Sequence, residues 1–403
     1  MSTATAFGVP AFRRLWAAGL VSDAGDWLLF IAMPLVVYRI SGSALGTSLA
    51  FLLELVPAVA LSPIAARLVD RFDRRALMVL VNIGQAVALV PLLFVHTRTE
   101  LPIAYAVVAV QASCSTIFEP AKNAMLPDLV GPERLVSANA LVGLNQNLGR
   151  LVGGPLGGVL LAVGDLGLVV AADAVSYAAS AALIAMVPAS AARRITADAA
   201  DGGGLLAALR IGRLRSTYAV IFVSSIAQGL FLVLFVLFVL GPMQGSDADV
   251  GVLRGIQAVG AIVAGLALGF LARSAGPRSL TVLSLLIFGA ISLATWNLPA
   301  LTTNVVPYLA LFAIVGAPGV VLSTGLITTL QQESGPAHRG GVFAALGMLM
   351  AIGQAVGILA AGLVDGPVGL LPLLQIQGLL YLASGVIALI WMPRHTTVPE
   401  TVE

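Results

Sequence analysis

Apolar runs about 20 residues long recur along the whole of this 403-residue chain, and they constrain its fold more than any other feature. Each run is long enough to cross roughly 30 Å of hydrocarbon as a helix. Inside a membrane every backbone polar group must be satisfied within the protein, which favours helices, and the short alternating segments of a β-barrel are absent. Only 10% of the residues are charged, against roughly 25% in soluble domains. The sequence therefore predicts an all-α integral membrane protein.

Twelve transmembrane helices are predicted from these runs. Their approximate limits are 14–39, 44–66, 76–95, 101–121, 139–163, 167–188, 216–241, 250–272, 279–298, 305–329, 340–363 and 371–392. The single cysteine excludes an internal disulfide, the three histidines do not cluster as metal ligands, and neither a P-loop nor a catalytic cluster is present in the sequence. We therefore expect no metal, no cofactor and no enzymatic activity.

Lysines and arginines set the expected orientation, because they concentrate on the cytoplasmic side of membrane proteins. With the N-terminus inside, 17 of the 21 basic residues fall on the cytoplasmic side, Lys122 among them, and only Arg39 and Arg98 fall outside. Arg150 and Arg254 lie within spans, and Arg254 is predicted near the outer end of its span with its side chain reaching the membrane surface. An even number of spans then places both termini in the cytoplasm.

The chain is predicted to consist of two related six-helix halves. Residues 1–189 form the first half, 190–215 a cytoplasmic linker, 216–392 the second half and 393–403 a cytoplasmic tail. The glycines at 149, 153 and 158 of span five recur at 353, 357 and 362 of span eleven, and the charged stretch 66–77 has a weaker echo at 269–280. Repeated halves of this kind place a solute site near the bilayer midplane. The arginines of the linker have no interleaved aromatic residues, so we expect no nucleic-acid partner.

The charged stretch between the second and third spans carries a family signature. The residues that fit the pattern Gly-x-Leu-Ala-Asp-Arg-x-Gly-Arg-Arg are Asp70, Arg71, Arg74 and Arg75. Ala66 and Asp73 replace its two glycines. Together with Asp73, the runs at 118–121 and 126–130 make the chain resemble the major facilitator superfamily, and within it the branch that contains macrolide-efflux and siderophore-export proteins.

This resemblance implies two pseudo-symmetric six-helix bundles that work by alternating access, with the charged stretch as a cytoplasmic gate. Asp70 is then expected to meet the positive N-terminal end of span eleven near residues 340–342. Arg74 or Arg75 is expected to pair with an acid such as Glu119. The alternative role is topological anchoring through positive charge alone, which does not explain Asp70.

Span five is similar to the antiporter signature of exporters in this superfamily. The residues concerned are Gly149, Gly153, Gly154, Pro155, Gly157 and Gly158. Glycines let a neighbouring helix approach closely, and a proline removes one backbone hydrogen bond and can bend a helix. The resemblance implies a bend between the halves that biases transport toward export, and plain close packing is the alternative.

Ionisable groups inside spans are costly, at roughly 2.5–3.5 kcal/mol each near the bilayer centre, and mark function by default. The span limits place Asp26, Glu54 and Arg150 near mid-membrane and Asp23 slightly nearer the cytoplasm. Asp23 and Asp26 share a face of the first span because they are three residues apart. We predict that Arg150 pairs with one of these two acids and that protonation of the acid drives the conformational change. A static ion pair is the alternative.

Four further residues are predicted to line the substrate cavity, namely Trp27, Phe231, Gln257 and Gln354. The expected function is secondary-active export of a small, mostly apolar compound by proton antiport, and import or facilitated passage of a polar metabolite is the alternative. We expect a monomer in the plasma (inner) membrane, with a small-molecule substrate and the lipid bilayer as its partners and the proton gradient as its energy source.

Overall fold

The computed structural model describes residues 5–188, 209–271, 276–334, 338–365 and 369–393, and every regular element in them is helical. The first half contains α1 (Pro10–Ser41), α2 (Ala44–Ala60), α3 (Ser62–Arg71), α4 (Arg74–Ala88), α5 (Leu101–Val130), α6 (Leu135–Val163) and α7 (Leu166–Ala185). The second half contains α8 (Arg215–Leu240), α9 (Asp247–Leu271), α10 (Pro277–Asn297), α11 (Val305–Glu333), α12 (Arg339–Gly362) and α13 (Leu370–Trp391). Most of the predicted linker, nearly all of the tail and the centre of the 269–280 echo lie outside the described residues.

The helices account for most of the predicted spans. By length and apolar composition, ten helices in the described ranges are able to cross a membrane, and eleven when α2 and α3 count as one bent span. The predicted fifth span is present as α6, 29 residues long, but it is not among those ten or eleven. The count of twelve spans, the boundaries of the halves and the cytoplasmic termini therefore stay predictions.

The second span is broken into two helices, α2 and α3, that meet at an angle of 52°. Pro57 lies inside α2 and Pro63 opens α3 after Leu61. Proline removes a backbone donor and clashes with the preceding turn, which is the usual cause of a sharp kink. The charged stretch therefore starts on its own short helix, and the next helix begins at Asp73, whose side chain accepts a hydrogen bond from the backbone N–H of Ala76 at 2.7 Å.

The repeated glycines make equivalent contacts in the two halves. In α6, a Cβ on Gly149 or Gly153 would strike α1, and in α12 a Cβ on Gly353 or Gly357 would strike α8. Both partners are the first helix of the same half. The third glycine of each set, Gly158 in α6 and Gly362 in α12, instead meets a helix of the opposite half, α9 and α2 respectively. The sequence repeat is thus a repeat of packing, with each glycine span wedged between the two halves.

A second equivalence involves arginines about 203 residues apart. The Arg75 guanidinium donates to the carbonyl of Val187 at 2.9 Å, just past the end of α7. Arg278 donates to the carbonyls of Ala388 and Leu389 in the last turn of α13. Each arginine donates to carbonyls in or just past the last turn of a helix, where a cation is favourable. The charged stretch therefore anchors the end of the last helix in each half.

The two halves meet closely on the side opposite these arginines, which we call the outer side. We define the outer seam as the contact of α6 with α9 and of α2 with α12 on that side. Across it Arg39 forms an ion pair with Asp247, whose side chain is fully buried. The Ser48 hydroxyl donates to the carbonyl of Ile358 at 2.8 Å. The outer side of the molecule is therefore closed.

Candidate functional site

A cavity of about 990 Å³ lies between the halves. Its wall is drawn from both halves, and the rings in it include Trp27, Phe30, Phe51, Tyr177, Phe231, Phe288, Trp296 and Phe312. It reaches Ser62 and Ala66 of α3 and Glu119 of α5, on the arginine-rich side. Since the outer seam is closed, the cavity opens toward the arginine-rich side. Its size matches the range of roughly 300–1,000 Å³ found for small-molecule sites.

Asp26 lies on the cavity wall and is held by a polar network behind it. The Tyr177 hydroxyl of α7 donates to Asp26 Oδ1 at 2.5 Å. The amide of Gln85 lies 3.2 Å from the same hydroxyl and 3.3 Å from the Ser115 hydroxyl, which also lines the cavity. This chain of hydrogen bonds orients a carboxylate that the cavity can reach.

Glu54 lies on the neighbouring helix α2 and is exposed to the cavity. No hydrogen bond or ion pair involves its side chain within the described part of the chain. A carboxylate in this position has room to change its protonation state or to contact a ligand. Asp26 and Glu54 are therefore the two acids at the centre of the cavity, as their depth in the sequence predicts.

Asp23 belongs to a different cluster, one turn along α1. Its Oδ1 lies 4.0 Å from the ammonium group of Lys122, which forms a second ion pair with Glu119 at 2.5 Å. Lys122 is only 3% exposed, so it is not the cytoplasmic loop residue that the orientation count assumes. Its position inside α5 supplies the cation that two neighbouring acids require.

The predicted ion pair between Arg150 and an acid of α1 is wrong. The Arg150 Nε donates to the backbone carbonyl of Arg254 at 3.0 Å, and its guanidinium carbon lies 5.2 Å from the centroid of the Trp27 ring. Asp26 is instead held by Tyr177 and Asp23 by Lys122. The helices are neighbours as expected, but Arg150 faces the cavity and the second half.

Arg254 does not reach the membrane surface, and that prediction is also wrong. Its side chain is 6% exposed and lines the cavity. Four ring centroids surround its guanidinium carbon at 5.1–5.8 Å, those of Trp27, Phe30, Phe231 and Phe235. The cavity thus holds two arginines, one from each half.

All four residues predicted to line the cavity lie on its wall, namely Trp27, Phe231, Gln257 and Gln354. Gln257 is 5% exposed and Gln354 is half-buried. Phe231 packs with Phe235 and Phe312 at centroid separations of 5.4 and 6.4 Å. The wall is therefore largely aromatic with a few amides, and contact of these residues with a ligand stays a prediction.

The predicted gate contacts are not made in this arrangement. Asp70 and Arg71 are exposed, and no hydrogen bond or ion pair of the Asp70 carboxylate exists among the described residues. Arg74 pairs with Asp128 at 2.9 Å rather than with Glu119, whose partner is Lys122. The pairing of Glu119 with Arg74 or Arg75 is thus not made in this open arrangement and stays a prediction for a closed one. The contact of Asp70 with the start of α12 stays a prediction for a state closed on the arginine-rich side.

The six residues of the span-five signature divide into two faces. Gly149, Gly153 and Gly157 face Asp23 to Leu28 of α1, where an added Cβ would meet backbone or Cβ atoms. Gly154, Pro155 and Gly158 face Asp247 to Gly255 of α9. One face builds the first half and the other forms the outer seam. A bias of transport toward export is not tested by this geometry and stays a prediction.

A family model described as Major Facilitator Superfamily matches residues 15–357. The chain belongs to the Major Facilitator Superfamily. Its fold and family are those of membrane transporters, which are generally not enzymes. The transporter is thus a multi-pass membrane protein with the paired-bundle architecture of that superfamily.

Individual proteins resemble the transporter to different extents. Macrolide efflux protein A of Streptococcus pyogenes is 24% identical over 385 residues, 93% of this chain and 94% of that protein. The multidrug efflux pump Tap of Mycolicibacterium fortuitum is 26% identical over 96% of each chain. YfiS of Bacillus subtilis, an uncharacterized transporter of the superfamily, is 30% identical over 186 residues, only 44% of either protein. A bacterial homologue of the iron transporter ferroportin, in an inward-facing crystal structure, superposes with a TM-score of 0.75 at 18% identity and covers 95% of this chain and 99% of that one.

Several residues of the site escape prediction from the sequence. Tyr177 gives no signal because a tyrosine in an apolar helix is usually part of the packing. Lys122 and Arg254 are visible as charges, but their depth depends on how far each helix extends. Asp173 is fully buried, with Ser176 Oγ 3.2 Å from its Oδ1. The apolar composition of the surrounding runs gives no signal for the number of polar side chains that are buried in the first half.

Proposed function

We propose that the transporter is a secondary-active exporter of small, mostly apolar compounds, driven by proton antiport through alternating access at the plasma (inner) membrane. The observation that carries this proposal is the aromatic cavity between the halves, which contains two carboxylates at its centre and opens to one side only. Two relatives that align along nearly the whole chain are efflux proteins by name. The full-length alignment supports export more than import.

Proton coupling is assigned to Asp26 and Glu54, because both line the cavity and neither forms an ion pair in the described structure. A carboxylate without a fixed cation is able to bind and release a proton as its surroundings change. Asp26 has a single hydrogen-bond donor, Tyr177, which tolerates either protonation state of the acid. Asp23 is assigned a positioning role, since it already has Lys122 within 4.0 Å, a cation that it shares with Glu119.

The transport cycle follows from the difference between the closed outer seam and the open arginine-rich side. In the present arrangement compounds enter the cavity from the arginine-rich side, which the positive-inside rule places in the cytoplasm. Closing that side and opening the outer seam would release them outside. Protons arriving from outside at Asp26 and Glu54 would then favour the return, so that inward proton movement accompanies each outward step.

The test uses inverted membrane vesicles with an imposed proton gradient and ethidium or erythromycin as the transported compound. Adding the compound is expected to release protons from wild-type vesicles, and D26N or E54Q is expected to remove the release. E133Q is the matched control, because Glu133 is an exposed acid outside the cavity. Coupled transport that continues unchanged in both cavity variants would overturn the coupling assignment. Uptake in the opposite direction, without proton release, would favour an importer.

A further inference from the structure

Arg254 is a buried cation that faces the cavity, and Glu54 attracts it electrostatically without forming an ion pair within the described residues. It is 6% exposed, and among the described residues its side chain makes no hydrogen bond and no ion pair. A guanidinium group has five N–H donors and no acceptor. A charge buried this deeply is stable only when something balances it. The unused donors therefore indicate that a ligand belongs against this side chain.

The aromatic rings around Arg254 compensate only part of this cost. Their faces attract the cation at centroid distances of 5.1–5.8 Å. Ring faces of this kind stabilise the charge, but they do not replace the strong acceptors that the in-plane N–H groups prefer. The four rings pack around the guanidinium group and restrict its movement. The N–H donors stay available to the cavity, which Arg254 lines.

A second guanidinium lies beside the first. Arg150, from the other half, contacts the ring of Trp27 at 5.2 Å, and Arg254 contacts the same ring at 5.8 Å. The Nε of Arg150 is used by the backbone carbonyl of Arg254, and its two terminal nitrogens have no partner within the described ranges. Two like charges on one tryptophan repel each other unless an anion lies between them.

We propose that Arg150 and Arg254 form an anion subsite at the centre of the cavity, and that the cargo is an organic anion with an aromatic or otherwise apolar body. A carboxylate or another planar oxyanion matches the paired donors of the guanidinium groups. The body of the cargo then lies against Phe231, Phe312 and Trp296 on the wall of the second half. This inference rests on the proposed function for the idea that the occupant is cargo, and it names the class of that cargo.

The acids of the cavity do not favour a cation over an anion. Asp26 already accepts a short hydrogen bond from Tyr177. Glu54 lines the cavity and attracts Arg254 electrostatically, but no ion pair joins the two side chains. Among the described residues the N–H donors of the Arg254 side chain therefore have no acceptor. An anionic group in the cavity would supply one.

The test compares two ligands that share one apolar body, pyrenebutyrate and its uncharged methyl ester. Binding is measured by pyrene fluorescence on the full-length protein in phosphatidylcholine nanodiscs. The wild type is expected to bind the carboxylate about tenfold or more tightly than the ester, since hydrogen bonds to charged groups account for differences of this order. R254Q is expected to lose this preference while it keeps its affinity for the ester, which shows that the cavity remains folded. R254K is expected to fall between the two, because lysine keeps the charge but not the planar fork.

R13Q is the matched control, since Arg13 is an exposed arginine on the arginine-rich side. Equal binding of acid and ester by the wild type, or an unchanged preference in R254Q, would overturn the proposal. A lysophosphatidate offers the same chemistry from a lipid source. Displacement of pyrenebutyrate by lysophosphatidate supports the anion subsite and shows that lipid headgroups compete for it. Binding of lysophosphatidate without any binding of pyrenebutyrate would overturn the proposal that the cargo has an aromatic body.

The same preparations separate this inference from the proposed function. A protein that exports ethidium with proton release but binds acid and ester alike keeps its proposed function and loses the anion subsite. A protein that prefers the acid but releases no protons when pyrenebutyrate is the transported compound keeps the subsite and loses the coupling mechanism.

Discussion

The outer seam and the arginine-rich ends of the halves are built from different chemistry. At the outer seam, glycine backbones touch directly, and Arg39, Asp247 and Ser48 connect the two halves. At the opposite end Asp70 is exposed and unpaired, and Arg74 pairs within its own half. The described contacts between the halves are therefore concentrated on one side.

This difference shows what each side has to accomplish. The outer seam excludes water by close packing, which has a large energetic effect only when the surfaces fit. The arginine-rich side relies on exposed charges, whose interactions are weak and easily exchanged. A rocking molecule with these two sides rests open toward the arginines unless a ligand or proton changes the balance. Four substitutions are ways to test this comparison.

The largest effect is expected from G158A. A Cβ at this position would strike the carbonyl oxygen of Asp247 and lie 3.1 Å from the Cα atoms of Ala248 and Gly251. Because these are backbone atoms, α6 and α9 have to separate, at about 1–3 kcal/mol. Spin labels at Thr99 and Leu301, in a variant without Cys114, are expected to show a population with a longer outer distance.

G143A on the same helix is the control, since no atom lies within 4 Å of its added Cβ. A distance distribution that is the same in G158A and G143A would mean that the glycine contact does not hold the outer seam closed.

The next effect is expected from R39Q. Arg39 is the only ion-pair partner of Asp247 in the described structure, and both Asp247 oxygens are buried without a hydrogen bond. Removing the arginine leaves a buried carboxylate uncompensated, which costs about 1–3 kcal/mol. The effect is reduced because Arg39 is half-exposed and water screens its interaction with Asp247. Restored outer closure in the swapped pair R39D with D247R, measured with the same labels, is the expected rescue. Failure of that rescue alongside normal folding would show that the ion pair does not act across the seam.

A smaller effect is expected from S48A. The variant removes the hydroxyl that donates to Ile358, a neutral hydrogen bond that contributes about 1 kcal/mol. The outer distance distribution is expected to broaden slightly. S323A is the control, because its hydroxyl donates to Val320 within one helix. Equal broadening in both variants would assign the effect to general loosening of the helices.

The smallest structural effect is expected from D70N. Asp70 is exposed and has no partner among the described residues of this open arrangement, so its substitution changes the stability of the open form by less than about 0.5 kcal/mol. The transport rate in vesicles is nevertheless expected to fall, since closing the arginine-rich side requires the contact with α12. Normal turnover in D70N would reduce the charged stretch to an anchor.

The sequence predicts the helices and the repeat well because both depend on local patterns. Long apolar runs must be helical in lipid, and glycines at a fixed offset can only be explained by repeated packing. Asp26 and Glu54 are found by depth alone, because the rise of a helix is constant.

The errors arise where a side chain has a choice of direction. Arg150 is at the right depth and on the right helix, but its rotation toward α9 rather than α1 depends on which face the glycines occupy. Arg254 is misplaced because the position of its helix along the membrane normal is set by packing and not by the limits of an apolar run. Lys122 is misplaced because α5 continues to Val130, well past the predicted limit of the span at residue 121.

The contact between Gly158 and Gly251 has a mechanical consequence. Helices that interdigitate side chains must lift out of one groove before they enter the next. Two glycine backbones have no side-chain ridges to disengage. α9 can therefore rotate against α6 without crossing a series of small packing barriers. The lack of side chains at this point therefore allows close contact between the halves and a low energy barrier to their relative movement.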